Sequence, residues 1–279
     1  MRLLAYGLVW LVGVVAMQPG GSVAVARQAD DLEAKLRLLV QPILDKKQSV
    51  GVVVGVISGG NKRVFGFGRE ATGSAKIPDG KTIFEIGSVT KLFTALALAQ
   101  MVEEKLVRLD DPVERYLPGD VKIASSAGRE VTLEDLATHT SGLPRIPLNL
   151  FFVGMNSSDP YAKYKDKDLY NFLKTWKPSE AIGSHWAYSN VGAGLLGHAL
   201  ARRAGVDYSQ LILGRITGPL GMNDTRLTLS PEQEKRLAQP YAFGGKPAAR
   251  WTFDVLAGCG ALYSTVDDML VFLSAELGV

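Results

Sequence analysis

The sequence predicts an α+β fold: a small antiparallel sheet flanked by helices and interrupted by a long helical insertion. Three observations carry this reading. β-Branched, glycine-dotted runs on both sides of Gly59-Gly60-Asn61 read as a hairpin over residues 50–68. Segments with apolar residues at helical spacing lie before that hairpin and again at the chain end. Between them comes a long stretch of helices and loops. The order of helix, strand pair, many helices and last helix suggests a helical insertion between parts of one sheet. With 279 residues, 47% hydrophobic and 21% charged, the chain is globular and long enough for a sizeable core.

The elements follow in order. Arg2, the uncharged apolar run of residues 3–17, the breaker Pro19-Gly20-Gly21 and the small-x-small site Ala24-Val25-Ala26 read as a secretory signal peptide over residues 1–26. The run is short for a membrane-spanning helix, which needs about 20 apolar residues; an uncleaved anchor is the alternative. Residues 31–46 are a helix, kinked or interrupted at Pro42. After the hairpin and a loop to Lys81, residues 88–106 form a helix too hydrophobic all round to sit on a surface. Thr132 and Asp135 are placed as a capping pair for a short helix over residues 132–137. Residues 142–165 are loop-like; 168–176, 191–204 and 208–216 are helical; Ser264 opens a final helix with Asp267 three residues on.

Charge and cysteine content narrow the function. The 31 basic and 28 acidic residues are mixed, with a net charge of +3 and no long basic run, so nucleic-acid binding has no support. Cys259 is the single cysteine, so no intramolecular disulfide forms; among small neighbours it reads as a small buried side chain. His139, His185 and His198 contain no H-x-x-x-H pair, and no metal or cofactor site is predicted. Gly192-Ala193-Gly194-Leu195-Leu196-Gly197 spells G-x-G-x-x-G, but no strand and βαβ unit surround it, so small residues on a buried helix are the better account. Asp110-Asp111 reads as a turn pair rather than a catalytic dyad. A Ser-His-Asp triad is the main mechanistic rival, but no G-x-S-x-G elbow is present.

Ser88-Val89-Thr90-Lys91 lies where an apolar helical pattern begins. A serine at a helix start with a lysine three residues on puts both side chains on one face, where the lysine can take or hold the serine proton. A serine cap followed by a surface lysine matches the same letters. Tyr188-Ser189-Asn190 sits at a loop-to-helix junction; Asn190 is either the cap of the next helix or part of a site in which Tyr188 shuttles a proton.

Taken together, FEIGSVTK at 84–91, LEDLATHTSGLP at 133–144, YSN at 188–190, GRITGPLGMNDT at 214–225 and GALYSTVDDMLVFL at 260–273 resemble class C β-lactamases and the related D-alanyl-D-alanine peptidases and esterases. The resemblance covers nearly all of the chain after residue 31. It implies a β-lactamase/transpeptidase-like fold, with an α/β part over 27–83 and 251–279 and a helical lobe over 84–250. It also implies Ser88 as acylated nucleophile, Lys91 as its orienting partner, Tyr188 as proton relay and Asn190 as a ligand of Lys91 and of a substrate amide. Whether Lys91 or Tyr188 is the base stays open. The backbone N–H of Ser88 would be one oxyanion donor.

One departure accompanies these matches. The family's third motif, Lys-Thr-Gly or His-x-Gly on a later strand, has no counterpart beyond Tyr188, and the closing strands are expected to be missing, as in a truncated sequence. The implied activity is that of an exported serine hydrolase, periplasmic or secreted, acting on a small β-lactam, peptide or ester. No stable membrane insertion is expected after removal of the signal peptide, and the oligomeric state is unknown. The rival class is a penicillin-binding protein without turnover. In the loop over 145–164, Phe151, Phe152 and Tyr161 either give the pocket an apolar wall or pack the helical lobe.

Overall fold

The computed structural model describes residues 22–153, 158–242 and 244–279, with side chains from residue 31 onward. The helices are α1 (Ser22–Asp45), α2 (Thr90–Glu103), α3 (Leu133–Ala137), α4 (Asp166–Thr175), α5 (Asn190–Ala204), α6 (Tyr208–Ile212), α7 (Pro231–Glu234) and α8 (Val266–Leu277). The strands are β1 (Gly51–Ser58), β2 (Asn61–Gly68), β3 (Phe84–Glu85), β4 (Tyr241–Ala242), β5 (Lys246–Pro247) and β6 (Tyr263–Ser264). The three pairings between these strands are antiparallel, with one parallel bridge between Ile83 and Leu237, and the α+β expectation holds. Residues 1–21, most of the predicted signal peptide, lie outside the described residues, and Ser22–Ala26 belong to α1. Among the described residues no helix is long and apolar enough to cross a membrane.

The chain divides into two compact units. One takes the described part of Met1–Glu85 with Leu220–Ala249 and Tyr263–Val279; the other takes Ile86–Pro219 with Arg250–Leu262. Against the expected division of 27–83 and 251–279 from 84–250, the first border nearly coincides, whereas 220–249 and 250–262 change sides. Residues 220–249 join the strand-bearing unit because Ile83 N–H donates to the Arg236 carbonyl at 2.9 Å and Ala238 N–H to the Ile83 carbonyl at 2.9 Å. Residues 250–262 join the helical unit, where the turn Ala257–Cys259 packs on α5.

In the strand-bearing unit β1 and β2 pair from Gly51↔Gly68 to Ser58↔Asn61. Gly59 and Gly60 connect them at φ of 55° and 79°, the left-handed pair that a two-residue hairpin loop requires. Alternation then sorts the side chains. Val53, Ile57 and Val64 pack with Val266, Leu270 and Leu273 of α8, while Phe67 lies under the Arg37 guanidinium of α1, 5.2 Å from the ring centre. The cap of α8 is Thr265, one residue later than expected: its hydroxyl accepts from Asp268 N–H at 3.2 Å. Ser264 is committed to β6, and its hydroxyl bonds Thr225 at 2.8 Å.

In the helical unit α2 buries Phe93, Ala97, Leu98 and Met101 but leaves Leu92 55% exposed, so this helix has an outer face after all. Its inner face packs against α5, which is buried along Leu195, Leu196, Ala199 and Leu200. The expected box at α3 is present: Thr132 Oγ1 accepts from Asp135 N–H, and the Asp135 carboxylate accepts from Thr132 N–H. The predicted helix over 208–216 is α6 followed by a π-helical turn, Leu213–Thr217.

Candidate active site

Ser88 sits in a 3₁₀ turn, Gly87–Val89, that runs into α2. The capping positions are Ile86 and Val89, apolar residues that make no side-chain cap. The Ser88 hydroxyl is therefore not spent on the helix start, and the residue is exposed. One turn on, Lys91 donates to Ser88 Oγ at 3.2 Å. It also donates to Asn190 Oδ1 at 3.0 Å and to the Cys259 carbonyl at 2.7 Å. An ammonium has three N–H donors, and here three acceptors meet it. Tyr188 OH donates to Ser88 Oγ at 2.7 Å, and the Lys91 ammonium lies 4.8 Å from the centre of the Tyr188 ring. The four residues singled out from sequence are thus brought together.

The cap of α5 is Ser189, not Asn190. Ser189 Oγ accepts from Gly192 N–H at 2.8 Å and donates to the Pro144 carbonyl at 2.7 Å. Because the neighbour caps, Asn190 keeps its amide for the site. Its Oδ1 faces the ammonium and its Nδ2 donates to Tyr161 OH at 3.4 Å. The backbone of this motif is pinned to the loop after α3. Asn190 N–H donates to the Arg145 carbonyl at 3.0 Å, and Ala187 N–H donates to the His139 carbonyl at 2.8 Å. Ser189 N–H donates to His139 Nδ1 at 3.2 Å, which fixes the proton of the neutral ring on Nε2.

His139 was missed as a site residue by sequence reasoning. It is a non-glycine residue at φ 61°, its ring is 4.7 Å from that of Tyr188, and it braces the motif from both carbonyl and ring. Burial lowers its pKa from the ordinary value, and the Lys91 charge adds to that. The only sequence signal was its place beside Thr140-Ser141-Gly142, where the chain leaves a helix.

The Cys259 carbonyl reaches Lys91 through a backbone contact. In a 3₁₀ turn, Ala257–Cys259, Gly258 passes so close to α5 that a Cβ on Gly197 would stand 2.9 Å from the Gly258 Cα. This is the use of the G-x-G-x-x-G letters: close approach, as expected for small residues on a buried helix. Thr94 of α2 ties the same turn, donating to the Gly258 carbonyl at 2.9 Å and bonding Tyr208 OH at 2.6 Å. The Cys259 thiol is buried, and burial pushes its pKa up to about 11, so this residue serves through its backbone.

Around this centre Tyr161 is buried and stacks on Phe253 with 4.9 Å between ring centres, with Trp251 5.9 Å away. Burial raises the Tyr161 phenol to about 12. Phe151 and Phe152, read with it as pocket wall or lobe packing, are instead 49% and 89% exposed: they end the 3₁₀ turn Leu148–Phe151, which buries only Leu150. His198 is half-buried with Nε2 2.7 Å from Tyr170 OH. Asp111 is buried and accepts from Arg108 N–H, Arg115 and Tyr116, a structural carboxylate. Among the described residues no cluster of three or more His, Cys, Asp or Glu is arranged to hold a metal ion.

The Beta-lactamase family model matches residues 36–279. The D-alanyl-D-alanine-carboxypeptidase/endopeptidase AmpH of Escherichia coli K12 is 36% identical over 224 residues, 80% of this chain and 56% of AmpH. A β-lactamase of the same organism is 26% identical over 254 residues, 91% of this chain and 63% of its own length. The chain therefore spans little more than half the length of the curated relatives it matches. Among solved structures, the β-lactamase/D-alanine carboxypeptidase of Yersinia pestis, complexed with citrate, superposes with a TM-score of 0.76 at 31% identity, covering 87% of this chain and 68% of that one. A class C β-lactamase superposes at 0.77 with 27% identity, over 89% of this chain and 66% of that one. The fold is the α+β fold of these enzymes, and the chain belongs to the β-lactamase family.

Proposed function

We propose that this chain carries the acyl-transfer centre of a serine hydrolase that acts through an acyl-enzyme on a β-lactam or a related amide or ester. The observation that carries this reading is the exposed Ser88 hydroxyl, held by Tyr188 at 2.7 Å and Lys91 at 3.2 Å and uncommitted to capping. Ser88 Oγ attacks the substrate carbonyl. Its proton passes to the Tyr188 oxygen, 2.7 Å away, as the Tyr188 hydroxyl gives its own to the leaving nitrogen or oxygen. Lys91, fixed by Asn190 and the Cys259 carbonyl, keeps positive charge beside the reacting oxygen. The first N–H groups of a helical turn have no partner within it, and Ser88 N–H belongs to that set, so it serves as an oxyanion donor. In the second half-reaction Tyr188 activates the water that frees Ser88. The Tyr161-Phe253-Trp251 cluster beside Asn190 supports an apolar acyl side chain. The sequence of residues 1–26 supports export to the periplasm or beyond.

The test is intact-mass spectrometry of the chain mixed with a penicillin and followed over time. An adduct of one penicillin mass, absent in Ser88→Ala, is the expected result. Its decay with hydrolysed product marks turnover, and its persistence marks a penicillin-binding protein that does not release the acyl group. An adduct that survives Ser88→Ala overturns the nucleophile assignment.

A further inference from the structure

Arg145 is a charged residue at this centre to which the acyl-transfer chemistry gives no task. Its guanidinium carbon lies 5.2 Å from the centre of the Tyr188 ring, the ring whose hydroxyl rests on Ser88 Oγ. The side chain is exposed, and no ion pair among the described residues involves it. A guanidinium stacked on this half-buried ring gains little from the contact and leaves its five N–H donors unspent. Its backbone is held in place, by contrast. The Arg145 carbonyl accepts from Asn190 N–H at 3.0 Å, the preceding Pro144 carbonyl accepts from Ser189 Oγ at 2.7 Å, and Pro147 follows two residues on. A free cation with a planar donor fork, mounted on a loop bolted to the catalytic motif, has the form of a carboxylate receptor organised in advance.

We propose that Arg145 is a specificity-determining residue that selects substrates bearing a carboxylate close to the scissile carbonyl. This rests on the acyl-enzyme reading above, since the substrate is placed by its bond to Ser88. The carboxylate can belong to the leaving group or to the acyl part, and both sources share one chemistry.

The test uses three matched aryl esters: one neutral, one with a carboxylate on the leaving aryl group, one with a carboxylate on the acyl group. For each, kcat/KM is measured in the unaltered chain, in Arg145→Ala and in Arg145→Lys. The expected result is a fall of roughly 10–100-fold in the carboxylate-to-neutral ratio for one of the charged esters in Arg145→Ala, with partial recovery in Arg145→Lys. In the unaltered chain that ratio drops as salt is raised, a readout that needs no variant. The ester that responds identifies which part of the substrate Arg145 reads. A ratio unchanged for both charged esters overturns the proposal. So does an equal slowing of all three, which would make Arg145 a support for Tyr188. If the unaltered chain forms no Ser88 adduct with any ester, the hydrolase reading falls first and takes this proposal with it.

Discussion

Two helix starts in the helical unit each present a serine, and the two serines are used in opposite ways. At α5, Ser189 is buried, caps the helix through Gly192 N–H and is tied again to the Pro144 carbonyl. At the 3₁₀ turn before α2, Ser88 is exposed, and the capping positions Ile86 and Val89 have no polar side chain to offer. The helix at Ser88 forgoes a cap worth about 1 kcal/mol, and in return its hydroxyl, among the described residues, meets only Tyr188 and Lys91. A reactive side chain is recognised here less by its type than by its release from structural duty.

The contrast can be broken at either start. The largest effect is expected from Tyr188→Phe, which strips the oxygen next to Ser88 and should slow acylation by roughly 10²–10⁴-fold while leaving the melting temperature in place. Stopped-flow acylation and a thermal melt read the two quantities separately; a large drop in melting temperature would make Tyr188 structural. Ser189→Ala should do the reverse. It removes the cap and orphans the bond to the Pro144 carbonyl, for a loss of roughly 1–3 kcal/mol in urea unfolding. Its effect on acylation should be smaller than that of Tyr188→Phe, and an unchanged unfolding midpoint would remove Ser189 from its structural role.

The smallest effect sharpens the comparison through pH. His139 accepts from Ser189 N–H only when its ring is neutral, and burial lowers its pKa in the folded chain. Its contribution is therefore present above the unfolded value near 6.5 and is lost as pH falls through the lower folded value. Unfolding midpoints taken from about pH 7 to about pH 4 should show an acid-side decline that is shallower in His139→Gln. An identical decline in the variant would clear His139 of that dependence.

What was legible in the sequence is what short-range spacing encodes. Ser88 and Lys91 share a helix face because they are three residues apart, Thr132 and Asp135 cap by the same spacing, and Gly59-Gly60 can serve in a tight turn whatever surrounds it. Asn190 beside Lys91 is implied by the family resemblance rather than by spacing, and spacing leaves its other reading, the cap, open: Ser189 and Asn190 are both good cap residues, and the backbone angles give the cap to Ser189. Ser264 and Thr265 repeat that ambiguity one residue out of step. The border near residue 220 was invisible because hydrogen bonds between residues 83 and 236–238 set it, and no local pattern records a partner 150 residues away. The Cys259 carbonyl could not be read at all, since every residue type has one.

That carbonyl has a consequence for how the site rides out thermal motion. Asn190 begins α5, and the turn bearing Cys259 is in backbone contact with the same helix at Gly197 and Gly258. Two of the three acceptors around Lys91 are thereby mounted on one rigid piece. When α5 shifts, both travel with it, and the ammonium follows them as a needle follows its pivot. The spacing of the two acceptors, and with it the aim of the ammonium at Ser88 Oγ, is thus set by one helix.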